Sequence, residues 1–190
     1  MTATVHSTGS TAIKLSKPSH IIVRPYTTEG TVGDDYYDLD DVVRDTTKVS
    51  QDDNSTTDIE RETSDTPIMS IVTTGKYQFE AEVADTQADV LVALCGFTKG
   101  TSDDKVYAPS GYQNMYAEVA VVFESGGKNV ALILPKLQLN SKTTIESLNT
   151  NLAKITLAGT AQLADVTING KAAKTPFYID SNYTLPVNGK

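Results

Sequence analysis

Gly75-Lys76-Tyr77-Gln78-Phe79-Glu80-Ala81-Glu82-Val83-Ala84 is the stretch whose reading decides the fold. Tyr77, Phe79, Ala81 and Val83 alternate with Lys76, Gln78, Glu80 and Glu82, and a period of two is the signature of a strand with one buried and one wet face. A helix follows at once. Asp85 has the side chain of an N-cap, Asp89 falls in the first turn near the positive end of the helix dipole, and Gly96 supplies the stop. Ala88, Leu91 and Cys95 make an apolar stripe with Val92 beside them, and Val90 and Leu94 broaden it, so the spacing predicts a short helix buried on much of its circumference.

Downstream the chain is β-rich. Met115 to Phe123 alternates into a hairpin at Gly126-Gly127, which returns as Val130 to Leu139. Asn140 to Asn151 is polar and predicts at most a helical turn. Lys154 to Ala164 predicts a core strand with Ile155, Leu157, Gly159, Ala161 and Leu163 on one face, and Asn169-Gly170 signals a further hairpin. Upstream, Ile21-Ile22-Val23 is a β-branched run stopped by Pro25, and Gly30 to Ser50 reads as a loop with one irregular strand. Within Lys48 to Glu62, two strand candidates flank the polar cluster Gln51-Asp52-Asp53-Asn54-Ser55, which predicts a protruding hairpin turning there.

Residues 1–18 are Ser/Thr-rich and aperiodic and are expected to form a flexible arm. Pro176 through Phe177, Tyr178, Tyr183 and Pro186 reads as an extended arm at the other end. The expected fold is mainly β, a β-sandwich or partial barrel in residues 19–164, with one short packed α-helix from about Thr86 to Cys95. An acidic loop at 29–65 and a C-terminal hairpin and arm at 165–190 complete it. One domain suits 190 residues, 39% of them apolar.

Charge narrows the function. The net charge is −8, but residues 29–65 hold 13 acids against three bases, a net of −10, so the rest of the chain is slightly positive. A protein that grips nucleic acid needs clustered Lys and Arg, which are missing here. The single Cys95 excludes an intramolecular disulfide, and with only His6 and His20 no zinc pattern can be assembled. No stretch has the length and apolarity of a membrane span or the form of a signal peptide.

Catalytic constellations are scarce. His6 lies in the arm and His20 opens a strand, neither in the setting of a general base. Cys95 sits on the apolar stripe, where it reads as a small core residue. The Asp34 to Asp41 cluster lacks the spacing of an EF-hand loop and reads as solvated surface. Glu80 and Glu82 are about 7 Å apart along one strand face, but the chain has no Trp to furnish a sugar cleft. Asn54-Ser55-Thr56 and Asn182-Tyr183-Thr184 fit a glycosylation sequon, which has no force without a secretory signal. The expectation is a structural or binding module with no cofactor and no enzymatic activity.

Three segments taken in order add content: Thr56-Thr57-Asp58-Ile59-Glu60 through Asp65-Thr66-Pro67-Ile68; Gly75 to Val83; and Asp85-Thr86-Gln87-Ala88-Asp89-Val90-Leu91-Val92-Ala93-Leu94-Cys95-Gly96-Phe97. This succession resembles the middle of a tailed-bacteriophage major tail tube protein, over roughly Lys48 to Ala164. The resemblance implies a subunit made in the bacterial cytoplasm that assembles into hexameric rings. These stack into a hollow virion tube, joined to other tail proteins, through which DNA passes without sticking. It places Gln78, Glu80 and Glu82 first and Glu118 second as residues facing the lumen, where an acidic or neutral wall lets DNA slide, and Lys76 at the ring rim. It makes Asp52, Asp53, Asp58, Glu60, Glu62 and Asp65 a loop reaching the adjacent ring, toward lysines such as Lys99, Lys105, Lys136 or Lys142. An ordinary solvated sheet face competes with that assignment. The alternative function is a surface-binding β-sandwich, a virion decoration or adhesin-like module using Tyr36, Tyr37, Tyr107 and Tyr112. A hydrolase with a metal in the Asp cluster is the third reading.

Overall fold

A computed structural model describes residues 15, 17–27, 30–61, 64–84, 86–101, 105–111, 113–144, 153–168 and 170–186, with backbone alone for 61 and 64–67. In chain order the strands are β1 (Pro18–Pro25), β2 (Tyr37–Leu39), β3 (Lys48–Gln51), β4 (Ser55–Arg61), β5 (Ser64–Thr73) and β6 (Tyr77–Val83). Helix α1 (Ala88–Cys95) follows, then β7 (Thr98–Lys99), β8 (Val106–Tyr107), β9 (Met115–Ser125), β10 (Lys128–Leu139), β11 (Lys142–Thr144), β12 (Lys154–Ala161), β13 (Ala164–Ile168), β14 (Lys171–Thr175) and β15 (Tyr178–Asp180). The protein is mainly β, as its alternating segments predict.

The principal sheet runs β2-β1-β9-β10-β12-β6-β3, all antiparallel. It curls round until its ends meet. Just past β2, Val42 bridges to Val83 of β6, with Val43 N–H donating to the Glu82 carbonyl at 2.8 Å and Ala84 N–H to that of Asp41 at 2.9 Å. Residues 37–51 therefore close the sheet toward a barrel, which removes open edges. Its interior takes the alternate residues that the period of two singles out: Phe79, Ala81 and Val83 of β6, Ile155 and Leu157 of β12, Leu134 and Leu137 of β10, and Ile21 and Val23 of β1. Each large side chain so buried contributes about 1.5–3 kcal/mol. At the β9–β10 hairpin, Gly126 (φ 61°) and Gly127 (φ 75°) take the two positive-φ positions of a type I′ turn.

Several expectations are corrected. The polar cluster at 51–55 is not a hairpin turn: β3 pairs with β6, Gln51 lying opposite Tyr77, while β4 pairs with β5. The projecting hairpin is thus β4–β5. In α1 the fully buried face is Val90 and Leu94; Leu91 and Cys95 pack beside it half-buried, so the stripe centres one residue from where Ala88 and Cys95 put it. Gln87 occupies the N-cap without a side-chain bond; Asp85 lies outside the described residues. The last core strand stops at Ala161, and Leu163 is 65% exposed. Thr98–Lys99 and Val106–Tyr107 pair within what reads as a loop, and Lys142–Thr144 is a strand on β12. The expected helical turn falls mostly at 145–151, outside the described residues. The C-terminal stretch is not an unattached arm, because β15 pairs with β10 (Ala131 opposite Asp180, Ile133 opposite Tyr178). It continues the line of β12, whose Ala161 is opposite Leu137, so the β13–β14 hairpin is an excursion from one long edge against β10. Most of the expected N-terminal arm, 1–14 and 16, lies outside the described residues.

Candidate functional site

Register alone assembles a site. Residues directly opposite in antiparallel strands share a face. Gln78 is opposite Thr160, which flanks Gly159 opposite Leu139; Thr160 is opposite Gln138, and Gln138 opposite Tyr116. Two residues along β9 from Tyr116 lies Glu118, opposite Arg24 of β1. Gln78, Glu80, Glu82 and Glu118, which the sequence places on two separate strands, therefore stand on one continuous face spanning β6, β12, β10 and β9.

Side chains tie this face together. Gln78 Nε2 donates to Asp52 Oδ2 at 2.9 Å and its Oε1 accepts from Thr160 Oγ1 at 2.9 Å. Gln162 Nε2 donates to Gln138 Oε1, and Gln138 Nε2 to Asn114 Oδ1, both at 2.9 Å. Lys154 Nζ reaches Glu82 Oε2 at 2.8 Å, and Arg24 Nη1 reaches Glu118 Oε1 at 3.1 Å while Nη2 donates to the Gly33 carbonyl. Glu80 is exposed, with Lys48 opposite in register. Lys136 Nζ lies over the rings of Tyr26 and Tyr116, 5.8 and 5.1 Å from their centroids. The face thus carries four carboxylates, Asp52, Glu80, Glu82 and Glu118, and four bases, Lys48, Lys154, Arg24 and Lys136, so its charges balance in number, with ion pairs at Glu82–Lys154 and Glu118–Arg24. Glu118 also marks its surroundings. Burial first, and Glu118's charge second, push the phenols of Tyr26, Tyr178 and Tyr183 above their usual value.

Further along β1, β9 and β10 the same face turns apolar. Ile22, Ala120, Val122, Ala131 and Ile133 form a second buried cluster, covered by Tyr36, Tyr183 and Leu185. The C-terminal segment is pinned there by β15 and by Tyr183 N–H donating to the Asn129 carbonyl at 3.0 Å.

The acidic segment divides into parts. Asp52 belongs to the face, through Gln78. Asp58 and Glu60 project on the β4–β5 hairpin, Asp58 accepting the Ser70 hydroxyl. Asp53 is exposed at its base; Glu62 lies outside the described residues, as does the Asp65 side chain. Thr57, Ile59, Met69 and Ile71 share one face of this ribbon, and Ile59, Ile68, Met69, Ile71 and Val72 are 42–62% exposed. The base is firmly held: Asp52 N–H donates to the Lys76 carbonyl at 2.8 Å, Gly75 N–H to Asn54 Oδ1 at 2.9 Å, and Gln51 Nε2 to the Gly75 carbonyl at 3.2 Å.

The remaining candidates disperse. Asp38 pairs with His20 Nδ1 at 2.8 Å, and among the described residues no group of three His, Cys, Asp or Glu could hold a metal ion. Cys95 is half-buried, its thiol pushed up by burial, with a smaller opposing effect of the Thr143 hydroxyl. Of the surface-binding candidates, Tyr36 and Tyr37 pack against different clusters, Tyr107 is exposed, and Tyr112 lies outside the described residues. Lys99 pairs with Asp89 at 3.2 Å in its own chain. A cavity of about 650 Å³ is lined mainly by apolar side chains such as Val42, Val49, Val121 and Phe123, with Arg44 and Asp45 at 3.3 Å from one another. Lys154 and Arg24 escaped the sequence reading, since their partners lie 72 and 94 residues away and no spacing signals them.

Fold and site together define a mainly-β, barrel-like domain with a charge-balanced polar face and projecting two-stranded hairpins. No protein-family model and no curated protein matches the chain. Among the described residues no helix is long and apolar enough to cross a membrane.

Proposed function

We propose that the protein is a structural subunit of a phage tail tube: copies join into rings, the rings stack, and the resulting channel conducts DNA. The β4–β5 hairpin carries this reading. An isolated two-stranded ribbon is marginal in water, yet this one projects with five large apolar side chains exposed. Ile59, Met69 and Ile71 lie together on one face of it, and exposed apolar surface of that kind marks an interaction site. The polar face supports the conduit. A wall on which Glu82 is paired with Lys154 and Glu118 with Arg24 presents no basic track to hold phosphates by counterion release and little net field to repel them. Gln78, Glu80, Glu82 and Glu118 line the channel, and Asp58 and Glu60 reach a neighbouring copy. No catalytic step is assigned to the chain. The partners are further copies of itself and other tail proteins, and DNA is a passenger.

Electron microscopy of the purified protein tests this. Rings or hollow tubes are expected; a protein that stays monomeric at high concentration in every salt overturns it.

A further inference from the structure

The wall of the barrel has a gap, and the chain upstream of β1 arrives at it. β3 has a strand on one side only, β6, because the pairing of β1 with β2 stops at Ile21 opposite Leu39. The cavity of about 650 Å³ opens at this edge, with Val42, Thr47 and Val49 on one side and Val121, Phe123 and Leu132 on the other. Phe123 and Leu132, 9% and 8% exposed, are the least covered side chains of the described core. The Thr47 hydroxyl is buried there and has no hydrogen-bond partner among the described residues. A buried hydroxyl left so is uncommon, and one more strand along β3 would supply a partner.

An extended segment with apolar residues at alternate positions would fill this gap, and the sequence has one beside it. Leu15 lines the cavity yet is 41% exposed, so by itself it does not cover it. Before it stands Thr11-Ala12-Ile13-Lys14. In an extended chain Thr11 and Ile13 fall on the same side as Leu15, about 7 Å apart at each two-residue step, while Ala12 and Lys14 face the other way. The edge of β3 is suited to receive such a segment. Asp52 N–H donates to the Lys76 carbonyl, and N–H groups alternate in direction along an antiparallel strand, so those of Gln51 and Val49 point away from β6. The Val49 side chain packs against the core, its residue lying opposite Phe79. Residues 1–14 hold no Asp or Glu, so nothing in them is repelled by Asp41, Asp45 and Asp52 along the same run.

We propose that residues 11–14 of the same chain add to the open edge of β3 and that Ile13, beside Leu15, fills the cavity. A small apolar molecule and the N-terminal segment of a second copy compete for the same space, and the tether decides between them. One residue separates Ile13 from Leu15, which already lines the cavity, so the segment is held at its site at an effective concentration of about millimolar or more. Pairing there also covers an edge that otherwise invites strand addition from other chains. The inference is independent of the tube reading, since it concerns how one subunit completes its own barrel.

Amide hydrogen exchange in the full chain, followed by mass spectrometry across a dilution series, tests this. The Val49 amide should exchange at least about tenfold more slowly in wild type than in Ile13→Asp, where a carboxylate would have to enter the apolar cavity. Ala12→Asp, on the solvent side of the segment, should keep the wild-type rate. A second measurement needs no loss of packing. The chain has no Trp, so Ile13→Trp places a single indole at the site, and a cavity of this size has room for it. Acrylamide should quench that indole several-fold less than it does in the urea-unfolded chain, at every protein concentration. Equal Val49 exchange in wild type and Ile13→Asp, or an indole as open to quenching as in the unfolded chain, would overturn the proposal. Protection that vanishes on dilution would overturn it as well, by assigning the edge of β3 to a second copy.

Discussion

Gly75 stands where the projecting hairpin joins the barrel, and replacing it with Ala tests how that junction is built. A Cβ there would lie 1.8 Å from the Asp52 carbonyl oxygen and 2.9 Å from that of Asp53. Ordinary contact begins at 3.4 Å, so the two strands must part by about 1.6 Å, and the neighbour is backbone, with no flexible side chain to swing aside. The same two strands are joined by the Asp52 to Lys76 and Gly75 to Asn54 hydrogen bonds, at 2.8 and 2.9 Å, neither of which survives such a separation. At about 1 kcal/mol each, Gly75→Ala should cost about 2 kcal/mol, or about 4–8 °C in Tm for a chain of this size. Gly111 has open space around its Cβ position and no positive φ, so Gly111→Ala is the matched control and should leave stability unchanged or raise it slightly. Thermal and urea unfolding measure both, with limited proteolysis to see whether the hairpin loosens. Equal midpoints and equal cleavage for the two variants would refute the reasoning.

Three further outcomes follow from the site. A double-mutant cycle on Glu82→Gln and Lys154→Met should give a coupling of about 1 kcal/mol that shrinks in high salt, since both side chains are a quarter or more exposed; no coupling would mean the pair does not form in solution. Tyr183 has a phenol pKa held above 10.0 in the folded state, chiefly by burial, so the stability it contributes is complete below pH 10 and is lost as pH rises through the folded value. Tyr183→Phe should therefore flatten the alkaline fall in urea midpoint, and an unchanged profile would contradict that. Cys95, whose thiol is raised by burial, should react with a thiol reagent at neutral pH at least about tenfold more slowly in the folded than in the unfolded chain; equal rates would place it at the surface.

The elements legible in the sequence are those whose partners are implied by local pattern. Period-two alternation identifies β6, β9, β10 and most of β12, and paired glycines mark the β9–β10 turn. The shared face of Gln78, Glu80 and Glu82 follows from the same period. What stayed hidden depends on distant pairing. Residues 51–55 are a good polar turn in isolation, but β3 gains more by adding to β6, and the close approach of Gly75 to Asp52 draws the chain outward there. The C-terminal residues look like an arm because Tyr178–Asp180 is too short to declare itself; β10, at 12 residues, outruns the eight of β12 and leaves an edge that β15 fills. Leu163 breaks its expected face because the chain has already turned into β13. The balance of charge on the polar face needed Arg24, Lys48 and Lys154, which only the closed sheet brings to it.

Cryo-electron microscopy of assembled material, at a resolution that shows side chains, tests the central claim most directly. The expected result is a hollow tube whose inner wall carries Gln78, Glu80, Glu82 and Glu118. A solid or non-tubular assembly, or a tube with those four residues on its outer surface, would contradict it.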